Sequence, residues 1–182
     1  MTKRLLGLGH TRIGFIIGHP NQTASEQRLK GFSAGMEEAG HKPDPKLVVQ
    51  GYFTYRSGLE AAEKLLRSPK RPTAIFASND DMAAATIAVA HRMGLDVPRD
   101  LTVAGFDDTP LALTVWPALT TVRQPIADMA REAVKLLLEQ IRRKRSGAEQ
   151  QTVQKLLDFT LIPRESTGRA STGHTERNVR LP

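Results

Sequence analysis

TAIFASNDDMAAATIAVAHRMG, residues 73–94, decides the fold. Thr73-Ala74-Ile75-Phe76-Ala77 is a short apolar run, the pattern of a strand buried on both faces of a parallel sheet. Ser78-Asn79-Asp80-Asp81 follows at once, and either Asn79 or Asp80 can cap the helix predicted over 80–93, which stops before Gly94. From Met82 to Ala90 that helix is apolar or small on every side, more than packing on one sheet face requires. It is therefore either enclosed within this chain or covered by a partner, and we expect a subunit interface.

The same strand-then-helix unit recurs on both sides. Arg12–Gly18 reads as a strand. The helix after it is predicted over 25–39, with Ser25 as N-cap, Leu29, Phe32 and Met36 on one face, and Gly40 as its stop. Leu47–Gln50 is the next strand, and a helix capped by Thr54 runs to Arg67. Leu101–Phe106 is the fourth strand. Strands separated by helices of this length imply right-handed crossovers and an α/β fold: a parallel open sheet with helices on both faces. Past Phe106 the rhythm changes. Leu111–Trp116 is a short apolar segment, 119–122 a strand and 126–143 a long amphipathic helix behind Pro125. Two short strands are expected at 153–157 and 159–162, then a polar, disordered tail from Glu165.

Composition limits what the chain can do. Without cysteine there is no disulfide, thiolate metal site or thiol nucleophile, as suits a reducing cytoplasm. No apolar run reaches membrane-spanning length and the N-terminus has no signal-peptide pattern, so neither a membrane nor export is expected. The net charge of +7 is uneven: residues 1–140 carry 17 Lys/Arg against 15 Asp/Glu, and residues 141–182 carry 9 against 4. The Arg142–Arg145 run reads either as a solvated helix end favoured by the macrodipole or as a nucleic-acid patch. The body is not a basic surface.

Parallel strands bring their carboxyl ends to one edge, where ligands bind in open α/β sheets. Arg28, Phe53, Asn79 and Asp107 all fall at that edge: a forked donor, an aromatic face, an amide and a carboxylate suited to a polyhydroxylated or anionic small molecule. Each has a plainer reading, as helix cation, loop anchor, cap or turn residue, and it is their convergence that marks a site. The carboxylates at 80, 81, 107 and 108 could hold Mg²⁺, but no phosphate loop or nucleophile elbow accompanies them. The five histidines lack ligand spacing. No metal, cofactor or enzymatic reaction is expected.

Five segments in register, Leu8–Ile16, Arg28–Phe32, Ala77–Ala83, Val103–Asp108 and Leu119–Pro125, resemble the landmarks of the lactose-repressor (LacI/GalR) family of transcription regulators over about residues 1–166. That resemblance implies a fold like type I periplasmic binding proteins, mostly the C-terminal subdomain. Residues 9–110 would form that subdomain, 111–164 the crossover and returning elements of an incomplete N-terminal one, and 165–182 the tail. It implies a small, sugar-like effector held by Arg28, Phe53, Asn79 and Asp107, with Gln124 on a crossover beside the cleft. It also implies a homodimer through the 80–93 helix and the 111–116 segment, and operator DNA bound only through a headpiece missing from these residues. Met1 matches an internal position of a family helix, so the chain is expected to be a fragment. The alternative is a solute-binding protein of an ABC importer, which shares fold and cleft.

Overall fold

In the computed structural model, which describes residues 1–147, 149 and 152–171, the elements run α1 (Thr2–Gly7), β1 (Ile13–Ile17), α2 (Thr23–Glu38), β2 (Val48–Gln50), α3 (Tyr55–Leu66), β3 (Ala74–Ala77), α4 (Asp80–Arg92), β4 (Thr102–Ala104), α5 (Leu111–Thr114), β5 (Thr121–Arg123), α6 (Ile126–Arg145) and β6 (Thr160–Ile162). Strands β2-β1-β3-β4 pair in that order, all parallel, with Phe15 opposite Val48 and Phe76, and Ile75 opposite Val103. β5 and β6 make a separate two-stranded pair. The chain divides into two units, Met1–Val122 with Leu161–Pro182, and Arg123–Thr160.

Alternation along the strands sorts the first unit's core into two layers. Phe15 and Phe76 point to the side of α1 and α2, where they join Leu5, Phe32 and Met36. Phe15 stacks on Phe32 at 4.7 Å and meets Phe76 edge-on at 5.3 Å. Ile16 and Ile75 point to the other side, against Leu65 of α3, Met82 and Val89 of α4, and Val103. α3 crosses α4 closely enough that a Cβ on Gly58 would lie 2.6 Å from the Met82 Cα.

That crossing answers the question posed by the apolar third helix. Met82–Ile87, Val89 and Ala90 are all buried inside this chain, between the sheet, α3 and α5. The continuous apolar outer face expected to meet a partner does not exist, because α3 and α5 already cover it. Three further expectations are corrected. α2 begins two residues before Ser25, whose hydroxyl instead donates to the His19 carbonyl at 2.6 Å and ties down the β1–α2 loop. Residues 153–157 form no strand. Glu165–Ser171 is not a disordered tail: Ser166 is fully buried, and its backbone carbonyl accepts the Val103 N–H at 2.9 Å. The rest of that expected tail, residues 172–182, lies outside the described residues.

The second unit is dominated by α6, none of whose residues is buried. Ile126, Met129, Val134, Leu137, Leu138 and Ile141 make an exposed apolar stripe along it. Glu132 bridges Lys135 at 2.9 Å and Lys155 at 2.6 Å.

Candidate ligand site at the carboxyl edge of the sheet

The sheet order reverses direction at β1, whose neighbours are β2 on one side and β3 on the other. The loops after β1 and β3 therefore leave in opposite directions and open a crevice between them. Arg28, in the second turn of α2, reaches over this point. Its Nη1 donates to the Ser78 carbonyl, at the end of β3, and its Nη2 to Asp107 Oδ1 at 3.2 Å. The guanidinium carbon lies 4.0 Å from the Phe106 ring centre and 5.5 Å from that of Phe53. The Arg28 side chain is only 15% exposed. Burial pulls its pKa down, while the Asp107 carboxylate and, more weakly, Asp80 oppose that shift. Aromatic faces and a carboxylate thus replace the water this cation has lost, the rings contributing about 0.5–2 kcal/mol each.

All three described non-glycine residues with positive φ sit at this edge: Phe53 at 61°, Asp107 at 113° and Asp108 at 57°. Each such conformation costs on the order of 1–3 kcal/mol and persists only where neighbours impose it. For Phe53 the constraint is Asn79, whose Nδ2 donates to the Phe53 carbonyl at 3.0 Å. Gly18 gives the ring room, since a Cβ there would fall 1.9 Å from its tip. For Asp107 and Asp108 the constraints come from further away. The Asp107 N–H donates to the Val122 carbonyl at 2.9 Å. Arg164 pairs with Asp108 at 2.7 Å, both side chains being nearly buried. Asp80, fully buried, accepts the Thr109 N–H at 2.7 Å and the Thr121 hydroxyl at 2.6 Å. Burial raises the Asp80 pKa, the bonds from Thr121 and Thr109 oppose this, and the Asp108 charge adds to it. Gly105 leaves space for this carboxylate, as a Cβ there would stand 2.5 Å from Asp80 Oδ1.

Of the residues singled out from sequence, Arg28, Phe53, Asn79 and Asp107 come together, with Arg28 touching Asp107 and facing Phe53. Asn79 is a helix cap as well: its Oδ1 accepts the Met82 N–H at 3.0 Å while its amide holds Phe53. Gln124 falls in the second unit, immediately after β5. Sequence reasoning missed Phe106, Ser78, Asp80 as a buried bracket, and Arg164. Phe106 had a visible signal, an aromatic directly before Asp107 at a strand end. Arg164 had none, standing 56 residues from its partner Asp108. Among the described residues no group of three or more His, Cys, Asp or Glu side chains is arranged to hold a metal ion.

Buried charge and strained backbone thus gather at the switch point of this parallel sheet. Residues 2–167 match the periplasmic binding protein-like domain. The chain is 45% identical over 170 residues to the HTH-type transcriptional regulator DegA of Bacillus subtilis, covering 93% of this chain and 49% of that protein. The structure of the transcriptional regulator CelR–cellobiose complex superposes with a TM-score of 0.83 at 37% identity, covering 91% of this chain and 49% of the other. A sugar-binding LacI-family regulator from Escherichia coli, complexed with phosphate, gives 0.79 at 31%, covering 93% and 59%. This chain belongs to the LacI/GalR family of transcriptional regulators, in their periplasmic-binding-protein-like portion. It spans about half the length of the curated relatives it matches.

Proposed function

We propose that this chain is the effector-sensing part of a ligand-controlled transcriptional repressor, binding a small polar, sugar-like molecule at the carboxyl edge of its sheet. The observation that carries the reading is Arg28, desolvated between Phe106 and Phe53 and joined to Asp107 at the switch point. Arg28 and Asp107 supply hydrogen bonds to hydroxyls, Phe53 packs on the apolar face of a ring, and Asn79 fixes Phe53 and borders the ligand. Binding is non-covalent, with no cofactor, and acts by favouring one of two conformations of the full-length protein. Relatives bearing regulator names favour this over a solute-binding protein of an importer.

The full-length protein would meet operator DNA through a helix-turn-helix headpiece, of the kind named in its relatives, and would act in the cytoplasm. No described helix is long and apolar enough to cross a membrane. We place homodimer contacts on the 111–116 segment and the exposed end of α4. Leu113 and Trp116 are 67% and 78% exposed there, and Trp116 lies against His91 at 5.6 Å. The test is calorimetry of the chain against mono- and disaccharides and nucleosides. A saturable heat with at least one of them, lost in Arg28→Ala and kept in Arg92→Ala, supports the site. Unchanged affinity in Arg28→Ala refutes it.

A further inference from the structure

Asp80 opens α4, where a carboxylate ordinarily serves its own helix, yet its side chain is bonded elsewhere. The cap of α4 comes from Asn79, and among the described residues the donors to Asp80 stand on other segments. Its Oδ2 accepts the Thr109 N–H at 2.7 Å and the Thr109 hydroxyl at 3.2 Å, and its Oδ1 accepts the Thr121 hydroxyl at 2.6 Å. Thr109 ends the turn that carries Asp107. Thr121 opens β5, directly before Val122, whose carbonyl accepts the Asp107 N–H at 2.9 Å. One carboxylate therefore ties the far end of this turn to the strand that already holds its near end. Asp107 and Asp108, both at positive φ, lie inside that closed circuit, and such backbone persists only where neighbours impose it. By contrast, the charge of Asp80 acts on Arg28 more weakly than that of Asp107 does.

We propose that Asp80 is a positioning residue for the ligand site: it touches no ligand, and through Thr109 and Thr121 it holds the 107–109 turn so that the Asp107 carboxylate meets Arg28. The inference rests on the ligand site proposed above and adds to it a residue beneath the contact surface. Asp80 is fully buried, out of a ligand's reach, so it acts through its neighbours. What it supplies is acceptor geometry rather than charge. Asparagine can take over that geometry, its amide oxygen accepting from Thr109 while its amide nitrogen donates to the Thr121 hydroxyl oxygen. Alanine cannot, and it strips the buried Thr121 hydroxyl and the Thr109 N–H of this acceptor. The turn then relaxes towards ordinary backbone angles and carries Asp107 away from Arg28.

The test follows the Arg28 Nε–H by NMR in the full chain, where the ring current of Phe106 displaces its signal. Calorimetry against glucose, cellobiose, ribose and adenosine, and urea unfolding, are run on the same samples. Asp80→Ala is expected to lose the displacement and to bind about tenfold more weakly or worse whichever compound the wild type binds. Asp80→Asn restores both, the affinity to within about threefold. A purely structural role would lower the urea midpoint without moving the Arg28 signal, and that result overturns the proposal. So does an asparagine variant as impaired as the alanine one, which would make charge the contribution of Asp80. Should Asp80→Ala fail to fold, Thr121→Val, which removes only the hydroxyl, is compared with Thr121→Ser, which keeps it. The valine variant should lose the displacement and the serine variant retain it; an unmoved Arg28 signal in Thr121→Val overturns the proposal. A wild-type chain silent towards every compound overturns the ligand site and this inference with it, whereas the variants alone can overturn the inference and leave the site standing.

Discussion

Arg28 is held by four residues from three places in the sequence, Phe53, Ser78, and the adjacent Phe106 and Asp107. Its substitution touches folding as well as function, so urea unfolding of each Arg28 variant accompanies its binding measurement. Arg28→Lys keeps the charge but loses the planar fork and the stacking, so it is expected to leave effector binding nearly as weak as Arg28→Ala does, measured by calorimetry. At the opposite edge of the sheet, His10 does structural work. Its Nε2 faces the Gly168 carbonyl at 3.0 Å and must carry a proton, so Nδ1 of the neutral ring accepts from the Thr73 hydroxyl, also at 3.0 Å. Burial lowers its pKa from the ordinary 6.5, against a weaker opposing effect of the Gly168 bond. The unfolded chain then binds a proton that the folded one refuses. Stability is full above pH 6.5 and falls as the pH drops through that value towards the lower folded pKa. Urea unfolding at pH 7.5 and 5.5 should show the loss, and His10→Gln should flatten it; an equal slope in both proteins would contradict the assignment. Arg28, Phe53, Asn79 and Asp107 were legible because each lies in the loop after a strand or in the first two turns of the helix that follows it. The second task of Asn79 was hidden, since one side chain can cap a helix and anchor a distant loop only in three dimensions.

Among the elements, α3 and α4 show what periodicity can and cannot say. The continuous apolar character of α4 told correctly that every side of it is covered, but a helix pattern carries no information on whether the cover comes from the same chain. Gly58 decides that here by letting α3 approach. Gly58→Ala puts a methyl 2.6 Å from the Met82 Cα and 2.8 Å from the Ala85 Cβ, against backbone that cannot give way. We expect a loss of about 1–3 kcal/mol in urea unfolding despite alanine's better helix propensity. Gly31→Ala, on the exposed side of α2 with nothing within 4 Å, isolates the propensity term and should stabilise by about 0.5–1 kcal/mol. If both substitutions acted in the same direction, the close helix crossing would be wrong. The four parallel strands were legible for the same reason as α4: short apolar runs bounded by glycine and polar turns. The missing strand at 153–157 failed because apolar residues in a row do not supply a pairing partner.

For the whole molecule, what the sequence could not reveal is how its distant end completes the first unit. Ser166 lies between β4 and the segment leading into β5. Its hydroxyl donates to the Val103 carbonyl at 2.6 Å and accepts the Thr120 N–H at 2.8 Å, while Arg164 neutralises the nearly buried Asp108. Polar composition made this stretch look like a tail, whereas its polar groups are spent on buried backbone. Arg164→Ala breaks the nearly buried ion pair with Asp108 and is expected to cost about 3–5 kcal/mol in urea unfolding. Truncation after Pro163 should abolish cooperative unfolding, as followed by circular dichroism. Whether the effector sits at the carboxyl edge of this sheet is read from a crystal structure of the chain grown with whichever saccharide or nucleoside gives the strongest calorimetric response. Ligand hydroxyls are expected within hydrogen-bonding distance of Arg28 and Asp107, with the ligand ring against Phe53. A ligand lodged elsewhere, for instance at the amino edge beside His10, with Arg28 and Asp107 untouched, would contradict it.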